Sequence, residues 1–155
     1  MRISVVLPAK NEAEGLRKTL PRLRQCQPEA EIIVVDDGST DDTAVVASEH
    51  GARVLRTPYS MGNGAAIKRG ARAAKGDVIV FMDADGQHDP AHINALLELL
   101  RNGYDMAVGA RDASGQASRG RGAANGFYNR LASWMTGHRI ADLTSGFRAV
   151  RADRF

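Results

Sequence analysis

Cysteine, aromatic residues and long apolar runs are all scarce in this chain of 155 residues. Cys26 is the only cysteine, so no disulfide can form within the chain, and a reducing, cytoplasmic compartment is predicted. Aromatic residues make up only 5% of the chain, which leaves few rings for stacking bases and argues against a nucleic-acid partner. The apolar runs have the length of strands, so the sequence predicts neither a membrane-spanning helix nor a signal peptide.

Several familiar site signatures are missing as well. The chain has no Gly-x-x-x-x-Gly-Lys-Ser/Thr element, which argues against a P-loop ATPase. The segment 62–67 begins like a dinucleotide fingerprint, but it lacks the final glycine and follows the third predicted strand, so a Rossmann cofactor is discounted. Ser145 has no recognisable partners for a serine hydrolase. His88 and His92 lack a third nitrogen or sulfur ligand nearby, and we interpret them as solvated or as supports of neighbouring ligands.

The composition that remains is typical of a globular protein, with 43% hydrophobic and 25% charged residues. Apolar runs rich in β-branched residues alternate with segments of helical spacing. Strands are predicted at 3–7, 32–35, 53–56, 77–82 and 104–110. Helices are predicted at 12–25, from the N-cap candidates 39–42 to 50, at 64–75, and from 89–90 to about 103. Because helices of this length connect successive strands, we expect one α/β domain over 1–155 with a parallel, two-sided sheet.

Charge is distributed unevenly along the chain. Residues 1–110 carry 13 Lys and Arg against 15 Asp and Glu, whereas 111–155 carry 8 Arg against 3 Asp. Arginine without lysine suits bidentate binding of phosphate. The alternative is a solvated basic face that keeps the protein in solution.

The acidic pair Asp83 and Asp85 follows the apolar run 78–82, where a predicted buried strand meets solvent. Alternate residues of an extended chain point to the same side, so both carboxylates can face one ligand. Hard oxygen donors suit Mg²⁺ or Mn²⁺ completed by water and a diphosphate, and Gln87 adds a neutral oxygen. An isolated Asp-x-Asp also occurs on ordinary surfaces. In open α/β sheets, however, ligands bind beyond the carboxyl ends of strands, which favours a site here.

Three motifs that follow predicted strands resemble those of family 2 glycosyltransferases of the GT-A fold. They are 8–12 (Pro-Ala-Lys-Asn-Glu), 34–41 (Val-Val-Asp-Asp-Gly-Ser-Thr-Asp) and 83–88 (Asp-Ala-Asp-Gly-Gln-His). A fourth motif, 142–148 (Asp-Leu-Thr-Ser-Gly-Phe-Arg), with 121–125 (Arg-Gly-Ala-Ala-Asn) before it, is similar to the branch of dolichyl-phosphate mannose synthases and polyprenyl-phosphate glycosyltransferases. The resemblance spans the whole chain and implies a mostly parallel central sheet with helices on both faces.

The resemblance also implies roles for individual residues. The residues implied to bind the nucleotide-sugar are Pro8, Ala9, Asn11, Glu12, Asp37 and Asp83. Asp37 would accept a hydrogen bond from the base, although it could instead cap the following helix. The residues implied to hold Mg²⁺ or Mn²⁺ are Asp83, Asp85 and Gln87. The residues implied to bind the donor or acceptor phosphates are Arg111, Arg119 and Arg121.

The implied reaction is an inverting transfer from a nucleotide-diphosphate sugar, of the GDP-mannose or UDP-glucose type, to a polyprenyl or dolichyl phosphate. A phosphate monoester has a second pKa of about 6, so at neutral pH the attacking oxygen is already largely deprotonated. Asp85 and Asp142 are the implied catalytic residues. Asp142 would orient the acceptor or take a residual proton, or it would only fix the turn at 144–146 by hydrogen bonding. The lipid acceptor implies peripheral contact with the cytoplasmic face of the cell membrane.

Members of the family usually continue beyond the Ser-Gly-Phe-Arg motif, so the chain is expected to be a catalytic domain truncated at its C-terminus. Asn63 stands where relatives often carry lysine, which predicts a weaker donor contact. Two other functions stay open. One is a nucleotide-sugar binding module without turnover, and the other is a sugar-1-phosphate nucleotidyltransferase, whose glycine-rich signature after the first strand is absent.

Overall fold

The computed structural model describes residues 1–109 and 145–155. The strands are β1 (Ile3–Ala9), β2 (Glu31–Asp36), β3 (Arg53–Arg56), β4 (Val78–Phe81), β5 (Met106–Val108) and β6 (Arg148–Arg151). The helices are α1 (Ala13–Cys26), α2 (Thr43–Glu49), α3 (Asn63–Ala73) and α4 (Ile93–Arg101). A short 3₁₀ helix, Pro90–His92, leads into α4, and another, Ala152–Arg154, follows β6.

The described strands form a six-stranded sheet in the order β3-β2-β1-β4-β6-β5. β1 lies parallel to β2 and β4, and β2 lies parallel to β3. β6 runs antiparallel to both of its neighbours, so β5 has the same direction as the first four strands. The predicted mostly parallel sheet is therefore confirmed.

The sequence analysis missed β6, since its last predicted strand was 104–110 and it assigned no secondary structure to Arg148–Arg151. The segment Arg148–Arg151 is short and charged at both ends, so no apolar run marks it. Its strand character comes from pairing on both edges, which buries Ala149 completely between Val80 of β4 and Ala107 of β5. Such long-range pairing leaves no local signal in the sequence.

Helices cover both faces of the sheet, as predicted. β1, β2 and β4 are near-continuous apolar runs because both of their faces are buried. One face packs against α1, α2 and α4 through residues such as Leu16, Val46 and Leu97. The opposite face packs against α3 through Ala66 and Ala71.

β1 extends beyond its predicted end, through Pro8 to Ala9. β4 pairs with β1 only as far as Val6, so at Pro8 the strand is an edge on its β4 side, where proline is tolerated. On the other side Pro8 stays in register with Val35 of β2. The first polar loop therefore begins level with the end of β2.

Candidate functional site

The carboxyl ends of β1, β2 and β4 lie side by side at one edge of the sheet, and a polar loop follows each strand. Ala9 is in register with Asp36, and the Asp37 amide donates a hydrogen bond of 2.9 Å to the Ala9 carbonyl. The loops that carry the predicted site residues are thus neighbours. This is the edge at which open α/β sheets bind ligands.

Residues 83–88, here called the acidic turn, leave the sheet after β4. Ala84 is buried, whereas the Asp83 side chain is 39% exposed and Asp85 is exposed. The Gln87 amide donates a 2.9 Å hydrogen bond to Asp85 Oδ1, and Gly86 takes a left-handed φ of 81° that closes the turn. Both carboxylates therefore reach solvent from a turn whose centre is anchored in the core.

Two glycines pack directly on the acidic turn. A Cβ atom on Gly15 of α1 would overlap the Ala84 carbonyl oxygen and lie 3.1 Å from Asp85 Cα. A Cβ atom on Gly146 would lie 2.7 Å from Asp83 Cγ. Gly15 therefore packs on the backbone of the turn, and Gly146 packs on the Asp83 carboxylate, each closer than a residue with a Cβ atom could.

His88 joins the acidic turn to the segment before β6. Its Nε2 lies 3.2 Å from Asp83 Oδ2, and its ring stacks on Phe147 with centroids 5.1 Å apart. Phe147 is fixed in turn, because its amide donates to Ser145 Oγ at 3.2 Å and the Ser145 hydroxyl donates to the Gly109 carbonyl at 2.6 Å. His88 is therefore packed between Asp83 and Phe147 and is not a solvated side chain.

Asn11 shapes the loop after β1. It has a left-handed φ of 55°, a conformation that asparagine tolerates better than most residues. Its amide donates to Ser39 Oγ at 2.9 Å, and its Oδ1 accepts from the Thr40 amide at 2.8 Å. The Glu12 amide donates to Thr43 Oγ1 at 2.9 Å. These bonds tie the loops after β1 and β2 together.

The Glu12 carboxylate shares an acidic environment with the acidic turn. Burial raises the pKa of Glu12, and repulsion from Asp85, Asp41 and Asp83 raises it further. A cation placed among these carboxylates would relieve that repulsion.

Asp37 is almost fully buried, at 5% exposure, and its carboxylate collects four hydrogen bonds from one loop. Oδ1 accepts from the Met61 amide at 2.8 Å and from Thr57 Oγ1 at 3.3 Å. Oδ2 accepts from Ser60 Oγ at 2.7 Å and from the Gly62 amide at 2.9 Å. Burial alone would raise the pKa of Asp37, but these hydrogen bonds outweigh it and lower the pKa below its ordinary value.

A cavity of about 210 Å³ opens beside Asp37. Three predicted nucleotide-sugar residues, Pro8, Ala9 and Asp37, lie in its wall. The residues that line it are Pro8, Ala9, Lys10, Asp37, Ser60, Gly62, Asn63 and Ala66. The hydrogen bond predicted from the base to Asp37 stays a prediction, and in the structure the lone pairs of that carboxylate are directed at the loop 57–62.

The predicted metal ligands offer oxygen donors only. In the part of the chain that the structure describes, no group of three or more His, Cys, Asp or Glu side chains is arranged to hold a metal ion. Asp83, Asp85 and Gln87 supply oxygen donors, which hard cations accept when water and a substrate diphosphate complete the coordination. That coordination suits Mg²⁺ or Mn²⁺ better than zinc, which prefers nitrogen and sulfur ligands.

Four predicted site residues lie outside the described residues. They are Arg111, Arg119, Arg121 and Asp142. Sequence reasoning missed the contacts of Gly15, Ser60 and Gly146, although Gly146 belongs to the recognised motif 142–148 and Gly15 follows the motif 8–12. Within 1–109 and 145–155, none of the helices combines the length and apolar composition needed to cross a bilayer.

The chain is similar to several known proteins over most of its length. The family model described as "Glycosyl transferase family 2" matches residues 4–155. Undecaprenyl-phosphate mannosyltransferase of Micrococcus luteus is 37% identical, with 99% of this chain and 68% of that protein covered. Dolichol-phosphate mannosyltransferase of Pyrococcus furiosus is 36% identical, with 99% and 47% covered. The chain therefore spans about half the length of this second relative.

Solved structures give a similar result. The structure of glucosyl-3-phosphoglycerate synthase from Mycobacterium tuberculosis, in complex with Mn²⁺, UDP and glucosyl-3-phosphoglycerate, is similar with a TM-score of 0.78 and 28% identity. The match covers 98% of this chain and 57% of the other.

Proposed function

The chain belongs to glycosyl transferase family 2, and on that premise we propose that it moves a sugar from a nucleotide-diphosphate sugar to a polyprenyl phosphate in an inverting, metal-dependent reaction. One observation carries the proposal. The acidic turn and the 210 Å³ cavity lie at the same edge of the sheet, and the loop after β1 lines the cavity with Lys10 and brings Glu12 near Asp83 and Asp85. A nucleotide bound in the cavity would therefore direct its diphosphate toward Asp83 and Asp85.

The donor half of the proposal rests on the loops after β1 and β2. Pro8, Ala9 and Asp37 line the proposed nucleoside cavity, and Glu12, from the same loop as Lys10 of the cavity wall, is repelled by Asp83 and Asp85. The names of the two relatives favour a mannosyl donor such as GDP-mannose, whereas the similar solved structure, a complex with UDP, favours a uridine nucleotide. Both donors therefore belong in the test.

The proposed metal ligands are Asp83, Asp85 and Gln87. A bound Mg²⁺ or Mn²⁺ would neutralise the charge of the departing nucleoside diphosphate. Close packing limits the movement of the acidic turn, since Gly15 lies against its backbone at Ala84 and Gly146 lies against the Asp83 carboxylate.

The proposed chemistry is a single displacement. An oxygen of the acceptor phosphate attacks the anomeric carbon while the bond from that carbon to the nucleoside diphosphate breaks, which inverts the configuration. Because the acceptor oxygen is already deprotonated at neutral pH, the site needs no strong base. We assign the phosphates to Arg111, Arg119 and Arg121 and the orientation of the acceptor to Asp142, on their motifs alone. A membrane lipid as acceptor places the protein in peripheral contact with the cytoplasmic membrane face.

The test measures release of nucleoside diphosphate from GDP-mannose and from UDP-glucose, with undecaprenyl phosphate in detergent and Mn²⁺ present. We expect release from one donor that depends on both the lipid and the metal. Asp85→Asn should lower the rate by about 100-fold, or about 2.7 kcal/mol in activation free energy. Asp105→Asn is the matched control, because Asp105 is an exposed carboxylate that pairs with Arg154 away from the cavity, and it should retain the rate.

The outcomes separate the functions considered. Metal-dependent donor binding without release under any acceptor would identify a binding module. Formation of a nucleotide-sugar from a sugar 1-phosphate would identify a nucleotidyltransferase. If Asp85→Asn released nucleoside diphosphate as fast as the unaltered protein, the proposed role of the acidic turn would be wrong.

A further inference from the structure

We propose that His88 is a positioning residue for Asp83, and that it orients one carboxylate oxygen of the acidic turn toward the cation by holding the other. This inference rests on the proposed function, since it assigns a task to a residue next to the proposed metal ligand. It does not make His88 a ligand. His88 would instead fix the direction in which the carboxylate of Asp83 points.

The contact between His88 and Asp83 has a defined chemical sense. His88 Nε2 lies 3.2 Å from Asp83 Oδ2. An ionised carboxylate can only accept, so Nε2 must carry the proton and donate it. The His88 side chain is 9% exposed while that of Asp83 is 39% exposed. The donor is therefore shielded from water, and the acceptor still reaches solvent.

The imidazole itself is held rigidly. Its ring stacks on Phe147 with an interplanar angle of 19°, and Phe147 is 4% exposed. Phe147 is hydrogen bonded to the Ser145 hydroxyl and, through its carbonyl, to the Gly109 amide at 2.9 Å. A ring fixed in this way presents Nε2 in one direction, which a solvated histidine would not do.

Asp83 is confined from the other side by Gly146, which has no room for a Cβ atom beside the carboxylate. Among the described residues, the hydrogen bonds to the acidic turn engage Oδ2 of Asp83 and Oδ1 of Asp85. Within 1–109 and 145–155, each carboxylate therefore uses one oxygen for a protein hydrogen bond, and we propose that the other faces the cation. Partners that orient metal ligands in this way commonly contribute about 10- to 100-fold to metal affinity.

The experiment separates the donated hydrogen bond from the stacked ring. His88→Phe keeps a ring for Phe147 but removes the donor, whereas His88→Gln keeps an amide donor but removes the ring. Binding of Mn²⁺ alone is measured by electron paramagnetic resonance, and thermal unfolding is followed in parallel. We expect His88→Phe to weaken Mn²⁺ binding about 10- to 100-fold with nearly unchanged unfolding. We expect His88→Gln to have an Mn²⁺ affinity within about 3-fold of that of the unaltered protein and to unfold at a lower temperature. A purely structural histidine would not separate Mn²⁺ affinity from stability in this way.

Phe147→Leu is an independent test, because it keeps His88 and removes the ring that fixes it. This variant should weaken Mn²⁺ binding by a smaller factor than His88→Phe. Equal Mn²⁺ affinity in His88→Phe and the unaltered protein, or an equal loss in His88→Phe and His88→Gln, would overturn the inference.

Asp83→Asn distinguishes this failure from failure of the proposed function. If Asp83→Asn abolishes Mn²⁺ binding while His88→Phe and Phe147→Leu leave it intact, only the role of His88 is wrong. If Asp83→Asn leaves Mn²⁺ binding intact, or the unaltered protein binds no Mn²⁺ even with UDP or GDP present, the metal site of the proposed function is wrong as well.

Discussion

Replacement of Asp37 should loosen the loop 57–62, which forms one wall of the cavity. The carboxylate accepts hydrogen bonds from the side chains of Thr57 and Ser60 and from the amides of Met61 and Gly62. Asp37→Ala leaves both amides without this acceptor. Asp37→Asn keeps the shape of the side chain, but it turns one acceptor oxygen into a donor that faces another donor.

The structure sets the size of the expected effect. A buried donor left without its acceptor costs about 1–3 kcal/mol, and a hydrogen bond to a charged group contributes about 1.5–3 kcal/mol. The four bonds converge on one carboxylate, so their losses do not add. We expect Asp37→Ala to lower the free energy of unfolding by about 2–5 kcal/mol and Asp37→Asn by about 1–3 kcal/mol. Ser60→Ala removes one bond at an exposed position and should cost about 1 kcal/mol or less.

The pH dependence gives a second, independent measure. Hydrogen bonds from the loop lower the pKa of Asp37 in the folded protein, against the opposing effect of burial. A lowered folded pKa stabilises the fold above the unfolded pKa of about 3.9, and this contribution is lost as the pH falls through the folded pKa. The stability difference between the unaltered protein and Asp37→Asn should therefore be largest at neutral pH and shrink below about pH 4.

Urea unfolding followed by circular dichroism, at pH 7 and in steps down to pH 3, measures both quantities. The same variants are then titrated with UDP and GDP, and the affinity for both nucleotides should fall together if Asp37 acts by placing the loop. A loss confined to one base would show instead that Asp37 reads the base. If the free energy of unfolding of Asp37→Ala at pH 7 lies within about 0.5 kcal/mol of that of the unaltered protein, the hydrogen bonds to Asp37 do not stabilise the loop as we argue.

Three further predictions concern packing and charge near the site. In α3, Gly70→Ala should lower the free energy of unfolding by about 1–3 kcal/mol, because its Cβ would overlap a valine of the sheet. Gly64→Ala is the control in the same helix, because it has open space and should change the free energy of unfolding by a gain of at most about 1 kcal/mol. Urea unfolding measures both variants. Gly146→Ala should displace the Asp83 carboxylate and weaken Mn²⁺ binding in the same resonance assay, and unchanged affinity would contradict the close packing described. Glu12→Gln should stabilise the metal-free protein at pH 7 but not at pH 4. Burial and neighbouring carboxylates raise the pKa of Glu12, so the ionised side chain makes the fold less stable as the pH rises through that pKa. Thermal unfolding that shows an equal gain in stability at both pH values would contradict this prediction.

Much of the fold could be predicted because its central strands are locally distinct. The family, the GT-A fold and the mostly parallel sheet are confirmed, and β3 was predicted with its observed bounds. Runs such as Glu31–Asp36 and Val78–Phe81 are rich in β-branched residues since both of their faces are buried. β6 has four residues and depends on two partners far away in sequence, so its pattern alone could not reveal it. The single-domain prediction for 1–155 stays a prediction.

The candidate site was predictable in its parts but not in its connections. Polar residues after three strands located Asp37, Asp83 and Asp85 at one edge, because parallel strands end together there. The sequence could not show that Asp37 binds the loop 57–62, because that loop lies beyond an intervening helix and strand. The metal and nucleotide roles of these residues stay predictions until ligands are bound.

The acidic turn illustrates why glycines at this site carry as much information as carboxylates. Gly15 approaches it from α1 and Gly146 from the segment before β6, and neither position admits a Cβ atom. Packing this close restricts the turn to a narrow range of positions in the folded protein. A cation that binds there would have less chain left to order, so less of its binding free energy is lost to conformational entropy. The same packing makes the site sensitive to a single added methyl group, which a solvated acidic pair on a surface loop would tolerate.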